Sequence, residues 1–477
     1  MNNNQIPQSI IIEPMRFKNN LTAAVFCIAV LAIVAFSWND HIIFTDEVLF
    51  EEASYQMYKT GDFIAPRLEG KVWLEKPPLY FWVTAAIYRV FPQTPFTRRI
   101  PTLLAAIGTL FLTFRLSQTL FSRKVAYLSL IILTTTPLFL FFTKTANLDI
   151  PQTFLTTATL FLYLKSKTNP KWLLLAGATT GLGILTRSFL ALFPILVVTI
   201  DQLISKKDRL PISYLLSTFT IAIGIALPWH LVVWNKYPSS FANDYLKFNL
   251  QSHVFSQTPG YPPLSIPRFL FNTLVGVAPL NLLALALFLP NPKRSRQAVS
   301  LPAIWVLATI IPLSLAATRH EWYAIQALPP LAILSATGLV NLKYLLKHHV
   351  PEKRWDMVNI IAFTVLITLP TTVFINLKKE VKSVVLLKEF IANTPPGTPL
   401  YNLDYLYVPQ STLYNSRETP VIFEEELTTL STPIYLYLDS REESTKAKAT
   451  LNRCCHQQVF SSERGALILH LIPKANE

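Results

Sequence analysis

Long apolar runs separated by short polar loops occupy the first 375 residues of the chain. The runs lie at residues 21–38, 100–120, 125–142, 150–164, 172–185, 189–204, 212–234, 269–289, 301–317, 324–342 and 357–375. Several are shorter than the roughly 20 residues that a straight membrane-spanning helix needs, so we expect some tilted or partly interfacial segments. The pattern predicts a mostly α-helical, polytopic transmembrane domain over residues 1–375, with about 11–13 spans.

Basic residues cluster in the loops after every second apolar run. The clusters are Arg115 with Arg123 and Lys124, then Lys165, Lys167 and Lys171, then Lys206, Lys207 and Arg209, then Lys293, Arg294 and Arg296, and finally the stretch from Lys347 to Arg354. Because basic loops remain in the cytoplasm, this alternation predicts a multi-pass protein of the inner (plasma) membrane, with its N-terminus inside and its C-terminus outside. A basic segment precedes the run at 21–38, and no cleavage site follows it, which indicates an uncleaved signal anchor.

The apolar and aromatic stretch at residues 79–91 is too short to be a span. A helix of about 13 residues covers roughly 20 Å of a hydrocarbon core that is roughly 30 Å thick. Counting this stretch as a span would also place the later basic loops outside. We therefore predict a helix at the outer interface, with Tyr80, Trp82 and Tyr88 at the level of the lipid headgroups.

The composition changes after residue 375. Residues 376–477 carry more charge, short β-branched runs at 434–438 and 466–472, and a polar helical stretch at 441–451. They predict a small extracytoplasmic α/β domain. The cysteines of the chain give neither a disulfide framework nor the spacing of a metal site, and the sequence Cys454-Cys455-His456 is interpreted as a helix end leading into a strand.

The overall charge does not indicate a nucleic-acid-binding protein. The chain has 477 residues, of which 51% are hydrophobic, and a formal net charge of +14. The basic residues lie in short loops between apolar runs, and no base-stacking or groove-reading motif accompanies them. We therefore expect a membrane protein that does not bind nucleic acid.

The loop at residues 39–99, between the first two spans, holds the densest group of reactive side chains. Asp46 and Glu47 begin a predicted helix that ends before Gly61, because glycine commonly follows a helix end. An alternative role for the acidic pair is to stabilise the dipole of a surface helix. Two further acids of this helix are expected on its solvated face: Glu51 and Glu52.

Two other positions complete the candidate chemistry. Lys76 follows Glu75 and precedes two prolines, which keep it in an extended conformation, although a lysine at this place is also typical of a membrane edge. Asp149 lies between two predicted spans on the same outer side, and its alternative role is to cap the helix that contains Pro151. A carboxylate that accepts a proton, near a cation that holds a phosphate, suggests transfer of a group from a membrane-borne phosphate donor.

The order of short motifs in this region resembles a known class of enzymes. The series is DE, x-GD-x-x-x-PRL-x-G, EKPPL-x-x-W, RR-x-P-x-L-x-A and LD-x-P, over residues 44–187, with a weaker match at 328–332. It resembles the GT-C class of polyprenyl-phosphate-sugar glycosyltransferases, in particular the lipid A aminoarabinose transferase and protein O-mannosyltransferase superfamily. The resemblance implies a polyprenyl-phosphate sugar donor and an acceptor that is a membrane lipid, an envelope polysaccharide or a protein hydroxyl.

The resemblance also implies roles for individual residues. Asp46 matches the essential acid of the family and Asp149 its second loop acid, whereas Lys76 matches the lysine that contacts the donor phosphate. The remaining candidates are Glu47 beside the essential acid, Arg67 and Arg99 on the family's arginine motifs, Tyr55 and Tyr323 as substrate-binding residues, and Glu75 as a metal ligand.

A divalent metal is left open by the sequence, and no other cofactor is expected. Relatives carry a His-Gly-Pro-like turn in the loop that corresponds to residues 235–267, whereas this chain has Thr-Pro-Gly-Tyr-Pro-Pro. His253 is the single histidine of that loop and lies out of register. It is therefore either a metal ligand with Glu75 or a plain surface histidine.

The reaction implied is a single displacement at the anomeric carbon of the sugar. Lys76 with Arg67 or Arg99 would offset the charge of the leaving polyprenyl phosphate. Asp46 would deprotonate a hydroxyl acceptor or orient an acceptor that is already ionised. A rival interpretation is a transporter or flippase of a lipid-linked sugar, but such proteins usually carry ionisable groups near the bilayer midplane. A structural membrane protein would not explain the paired loops, and we expect a monomeric enzyme.

Overall fold

The computed structural model describes residues 46–68, 70–204, 209–255, 296–317 and 319–346, and parts of 26–34, 265–269, 386–403, 421–438 and 451–473. The predicted spans at 269–289 and 357–375 lie outside the described residues, as does most of the predicted signal anchor at 21–38. The same holds for the boundary expected after residue 375.

Eleven of the described α-helices are numbered here in chain order, and the three-residue helix Pro238–Ser240 is left unnumbered. They are α1 (Asp46–Thr60), α2 (Leu79–Tyr88), α3 (Pro95–Leu120), α4 (Arg123–Thr135), α5 (Pro137–Thr143), α6 (Asp149–Ser166), α7 (Trp172–Arg187), α8 (Phe193–Ile204), α9 (Ile212–Lys236), α10 (Arg296–Leu315) and α11 (Leu328–Leu346). Two 3₁₀ helices, Ser188–Leu192 and Glu321–Ala327, precede α8 and α11, and a π-helix, Phe241–Phe255, follows α9. A two-stranded hairpin, β1 (Arg67–Leu68) and β2 (Lys71–Val72), lies between α1 and α2.

Several of these helices are long and apolar enough to cross a membrane. Within the described part of the chain there are 4 such segments, namely Pro95–Leu120, Trp172–Ile204, Ile212–Lys236 and Trp322–Asn341, or up to 5 if α4 and α5 together form one span. They confirm the prediction of a multi-pass, mostly helical membrane protein.

The predicted span at 125–142 is not one straight helix. Instead, α4 and α5 meet at an angle of 65°. The cause is local, because Pro137 has no N–H for helical bonding and pushes the preceding residue, Thr136, into an extended conformation with φ −70° and ψ 122°. Apolar periodicity alone does not show this break, although the proline does mark its position.

The helices pack closely where small residues face each other. A Cβ on Gly177 of α7 would come within 2.5 Å of the carbonyl oxygen of Thr218 on α9, and one on Gly181 within 2.8 Å of the carbonyl oxygen of Ala222. Glycine is therefore needed at both positions for the two helices to approach, as is common between membrane helices.

Helix α2 confirms the short helix predicted at 79–91, but two of its aromatic residues are not where the sequence suggested. Tyr80 and Tyr88 are buried against protein, and the Tyr80 hydroxyl donates to the carbonyl oxygen of Arg98 at 3.1 Å. Both side chains thus pack against protein rather than against lipid, and α3 supplies the polar partner that the buried Tyr80 hydroxyl needs. Trp82 is half-buried, and its indole N–H donates to the carbonyl oxygen of Phe63 at 2.7 Å.

The C-terminal region contains a five-stranded mixed sheet with the order β4-β3-β5-β7-β6. The strands are β3 (Leu400–Leu403), β4 (Val421–Ile422), β5 (Ile434–Leu438), β6 (Cys455–Glu463) and β7 (Ala466–Pro473). The runs predicted at 434–438 and 466–472 are thus confirmed as strands, whereas most of the predicted helix at 441–451 lies outside the described residues. Cys455 begins β6, as expected, but it forms a vicinal disulfide with Cys454, which the sequence analysis does not predict.

Candidate active site

Helix α1 begins at Asp46 and is buried along most of its length. Its end is set by Gly61, which has φ 72° and donates its N–H to the carbonyl oxygen of Met57 at 3.0 Å. The left-handed conformation favours glycine at this position. The helix predicted from Asp46 to Gly61 is therefore confirmed, and its burial brings its acidic residues into contact with other helices.

Glu47 joins three parts of the fold. Arg99 of α3 donates its Nε to Glu47 Oε1 at 2.5 Å and its Nη2 to Oε2 at 3.3 Å, and the N–H of Ala146 donates to Oε1 at 3.2 Å. Both charged side chains are fully buried. Glu47 and Arg99, predicted as catalytic and donor-binding residues, thus bind each other and fix α1 to α3.

The other acids of α1 are also buried, so the prediction of a solvated face is wrong. Glu51 forms an ion pair with Arg98, and both side chains are nearly inaccessible to solvent. Glu52 accepts a hydrogen bond from Gln56 at 2.8 Å. The reason is that α3 and α2 cover this side of α1, which a sequence read one helix at a time does not reveal.

Lys76 projects from the segment between the β1–β2 hairpin and α2. The side-chain amide of Asn249, on the π-helix, donates to the carbonyl oxygen of Glu75 at 2.9 Å and so fixes the backbone beside Lys76. The Lys76 Nζ lies 4.7 Å from the ring centroid of Phe248. Burial lowers the pKa of Lys76, while the negative charges of Glu75 and Asp46 act in the opposite direction.

Asp149 is the first residue of α6 but does not cap it. The N-cap position is Leu148, which makes no side-chain hydrogen bond, and the side-chain oxygen of Asn147 accepts the N–H of Ile150 at 2.9 Å. Asp149 instead pairs with Arg187 of α7, with 3.0 Å between Oδ1 and Nη2. The capping alternative for Asp149 is therefore wrong, and the carboxylate is available to a neighbouring helix.

The environment raises the pKa of both aspartates. Burial raises the pKa of Asp149 to about 6, against the lowering effect of the Arg187 charge and with a further increase from Asp46. Burial also raises the pKa of Asp46, and the positive charges of Lys76 and Arg187 partly offset the increase. Asp149 and Arg187 form an ion pair, Lys76 and Arg187 line one cleft, and the charges of both cations lower the pKa of Asp46, so we treat these four residues as one electrostatic cluster.

Arg187 is the residue of this cluster that the sequence analysis does not single out. It ends α7 at a sharp turn, where the next residue, Ser188, has φ 54° although it is not glycine. A hydrogen-bond chain holds that turn: His230 Nε2 lies 2.7 Å from the Tyr245 hydroxyl, which donates to Ser188 Oγ at 3.0 Å. Such a conformation is costly and is typical of functional sites. The sequence shows a basic residue after the predicted span at 172–185, but the direction of the Arg187 side chain depends on this turn.

A narrow cleft with a volume of about 20 Å³ lies beside the cluster. It is lined by Lys76, Arg187, Phe189, Leu190, Asn249 and Tyr323. The guanidinium carbon of Arg187 lies 5.4 Å from the ring centroid of Tyr323, and His320 stacks on Trp322 at 4.3 Å between ring centroids. Burial, with the charges of Arg187 and Lys76, lowers the pKa of His320 to about 4. The cleft thus combines two cations with an apolar wall.

Some predicted site residues lie elsewhere. Arg67 pairs with Asp62 at 3.1 Å and also donates to the Tyr237 hydroxyl at 3.2 Å. Tyr55 contacts the ring of Tyr58, with 6.2 Å between centroids. Of the predicted residues, those that the structure brings to the cleft or its electrostatic cluster are Asp46, Glu75, Lys76, Asp149 and Tyr323.

The described residues do not form a metal site. Across that part of the chain, no three His, Cys, Asp or Glu side chains lie together so as to hold a metal ion. Glu75 has a raised pKa because it is buried, and the charges of Asp46 and Asp244 raise it further. The side chain of His253, the other predicted ligand, is not among those described. Metal binding by Glu75 and His253 therefore stays a prediction.

The helical bundle and the acid-bearing segments at one end have the GT-C glycosyltransferase fold, as the motif resemblance predicted. The chain superposes on ArnT from Cupriavidus metallidurans bound to undecaprenyl phosphate with a TM-score of 0.71 and 15% identity, over 94% of this chain and 98% of that one. The oligosaccharyltransferase of Archaeoglobus fulgidus in its apo form gives a TM-score of 0.57 and 13% identity, over 94% and 74% of the two chains.

Comparison of sequences indicates the same class. Residues 75–233 match the family described as dolichyl-phosphate-mannose-protein mannosyltransferase. The undecaprenyl phosphate-alpha-4-amino-4-deoxy-L-arabinose arabinosyl transferase of Pseudomonas paraeruginosa is 28% identical over 308 residues, which are 62% of this chain and 55% of that protein. An uncharacterised protein of Aquifex aeolicus is 25% identical over 300 residues, or 62% of this chain and 59% of its own. The alignments thus cover less than two thirds of these relatives.

Proposed function

We propose that the chain is an integral-membrane glycosyltransferase that transfers a sugar from a polyprenyl-phosphate donor to an extracytoplasmic acceptor. The observation that carries the proposal is the cluster of Asp46 at the start of α1, Asp149 at the start of α6, Arg187 at the end of α7 and Lys76 between β2 and α2. The arabinosyl transferases that are similar in sequence, and the undecaprenyl phosphate bound to the ArnT of the same fold, support the choice of donor.

In this proposal Lys76 and Arg187 hold the donor phosphate. Both line the cleft, and together they supply two positive charges to a group that leaves with two negative ones. Phe189 and Leu190 form the apolar wall on which the first part of the polyprenyl chain would lie. Arg187 takes the role that the sequence analysis assigned to Arg67 and Arg99, because Arg187 lines the cleft and those two residues do not.

The carboxylates act on the acceptor. An acceptor oxygen attacks the anomeric carbon, the bond from that carbon to the phosphate oxygen breaks, and its electron pair leaves with the polyprenyl phosphate. A hydroxyl acceptor gives its proton to Asp46, whose raised pKa brings it closer to that of an effective base at neutral pH. Asp149 holds Arg187 in position through their ion pair. An acceptor that is already ionised would need only orientation by Asp46.

A transfer assay tests the proposal directly. The purified chain in lipid nanodiscs is incubated with undecaprenyl-phosphate sugar that is radiolabelled in the sugar, and with a membrane extract as the acceptor source. We expect label to move to an extract component and free undecaprenyl phosphate to appear in equal amount. Lys76→Gln is the inactive control. Movement of intact labelled donor across a sealed bilayer without sugar release would support the flippase alternative and contradict a transferase.

A further inference from the structure

A second cleft shares no lining residue with the cleft beside the candidate active site. Its volume is about 500 Å³, and it is formed by α6, α7, α8 and the start of α9. Two of its lining residues lie on α7, Thr180 and Leu173. At a rise of about 1.5 Å per residue, they are roughly 10 Å and 21 Å from Arg187 along the helix axis. Its volume falls within the range of about 300–1,000 Å³ that is typical of ligand sites.

The wall of this cleft is apolar and its mouth faces the bilayer. Most of the lining surface comes from aliphatic and aromatic side chains, among them Leu173, Val198, Leu215, Leu216 and Phe219. Leu216 and Phe219 on α9 are 60% and 53% exposed, on a helix that is a candidate membrane span. Exposed apolar residues on such a helix face hydrocarbon, so an occupant of the cleft enters from the lipid.

An acid beside the polar end of the cleft, Asp201, is already paired with a cation. Lys167 Nζ and the Tyr163 hydroxyl both donate to Asp201 Oδ2, at 2.9 Å and 2.5 Å. Gln202 donates to the Tyr163 hydroxyl at 2.6 Å. Since Asp201 is buried and already paired with Lys167, it does not compensate any further cation.

Arg209 then gives the cleft a positive charge at its mouth. It lines the cleft, is exposed, and forms no ion pair with any residue described in the structure. The next residue, Leu210, is fixed because its N–H donates to Gln202 Oε1 at 2.8 Å. An apolar slot that ends at a cation complements a molecule with a hydrocarbon chain attached to an anionic group.

We propose that this cleft binds an anionic phospholipid from the bilayer leaflet on the side of the basic loops. An acyl chain lies between Val198 and Phe219, and the phosphate group contacts Arg209. The proposal is independent of the glycosyltransferase activity, because none of these residues lies in the cluster around Asp46 and Lys76.

Photolabelling tests the site. The probe is phosphatidylglycerol with a photoactivatable acyl chain, in nanodiscs of phosphatidylcholine, and labelled peptides are identified by mass spectrometry. We expect label on the residues of the cleft, reduced about five-fold in Arg209→Gln through loss of one charge contact. Thr199→Trp should reduce it similarly by filling the cleft, since Thr199 is an exposed lining residue whose hydroxyl donates to the Ile195 carbonyl oxygen at 2.9 Å.

Two matched controls separate the site from general effects. Arg123→Gln removes an exposed arginine at the same end of the bundle, and Thr220→Trp places tryptophan at an exposed threonine of α9 that does not line the cleft. Both should label like the unaltered protein. Equal labelling of all five proteins would overturn the proposal, as would equal labelling by a photoactivatable phosphatidylcholine. Displacement of the probe by undecaprenyl phosphate at lower concentration than by phosphatidylglycerol would assign the cleft to another lipid.

Discussion

At the scale of single residues, Arg187 and Arg67 show how tertiary contacts separate two arginines that look equivalent in sequence. Arg187 reaches the cleft and pairs with Asp149, whereas Arg67 pairs with Asp62 beside the hairpin. We expect Arg187→Gln to weaken binding of undecaprenyl phosphate by roughly 1.5–3 kcal/mol, the usual contribution of a hydrogen bond to a charged group. Arg67→Gln is the matched control and should change affinity less than two-fold. Equal losses in both variants, measured by isothermal titration in detergent, would contradict the assignment.

The pH dependence of turnover follows from the aspartates. Asp149 has a pKa of about 6, raised by burial, and the pKa of Asp46 is raised in the same way. Ionised carboxylates are the active forms, so turnover should fall as the pH decreases through about 6. Because the pKa of Asp149 is higher in the folded than in the unfolded state, this group stabilises the fold at a pH below its unfolded-state pKa, and that stabilisation is lost as the pH rises through about 6. The folded protein therefore does not lose this stabilisation at low pH, and a loss of stability does not explain the decline in turnover. Asp149→Asn should move the midpoint of the profile, and an unchanged midpoint would exclude Asp149 as its source.

Sequence reasoning found part of this cluster at the residue scale. Asp46, Lys76 and Asp149 stand in short motifs whose residue types reveal their chemistry, and the structure brings them together. Arg187 was not found, because its position depends on the turn at Ser188 and the hydroxyl of Tyr245, far away in sequence. Glu47 was not recognised as a structural residue, because its partners, Arg99 and Ala146, are also far away in sequence.

At the scale of elements, the ion pair between Glu47 and Arg99 holds α1 on α3. Both side chains are fully buried, so removal of one charge leaves the other uncompensated, at a cost of about 3–5 kcal/mol. Glu47→Gln should therefore lower the melting temperature strongly. The matched control is Asp62→Asn, which breaks the partly exposed pair with Arg67 and should cost about 0–1 kcal/mol. Both melting temperatures are measured by thermal unfolding in the same detergent. An equal decrease in the two variants would contradict this account.

Element boundaries were predicted well wherever a local signal marks them. Gly61 ends α1, and the strands β5 and β7 coincide with β-branched runs. The faces that the elements bury were predicted less well, as Tyr80 on α2 and Glu51 on α1 show. Tyr80 and Glu51 both have their polar partner, Arg98, on α3, and periodicity within one segment does not predict a contact with another helix.

At the scale of the whole molecule, the basic loops predict which end of the bundle lies in the cytoplasm. Lys71 in the hairpin near the candidate site and Lys171 before α7 are both exposed and lie at opposite ends. In a variant without native cysteines, Lys71→Cys should react with an impermeant thiol reagent in intact cells, and Lys171→Cys should react only after lysis. The reverse pattern would place the candidate site in the cytoplasm and contradict an extracytoplasmic acceptor.

The central claim is that Asp46 acts on the acceptor while Lys76 and Arg187 bind the donor phosphate. The most direct measurement compares turnover and donor affinity for Asp46→Asn in the nanodisc transfer assay. We predict that turnover falls by about 10² or more, the usual scale for a lost general base, while undecaprenyl-phosphate sugar binds as tightly as to the unaltered protein or slightly more tightly. If Asp46 served only as a charge at the start of α1, the substitution would cost about 0.3–1 kcal/mol of stability and leave turnover nearly intact. Transfer at the unaltered rate by a folded Asp46→Asn protein would contradict the account.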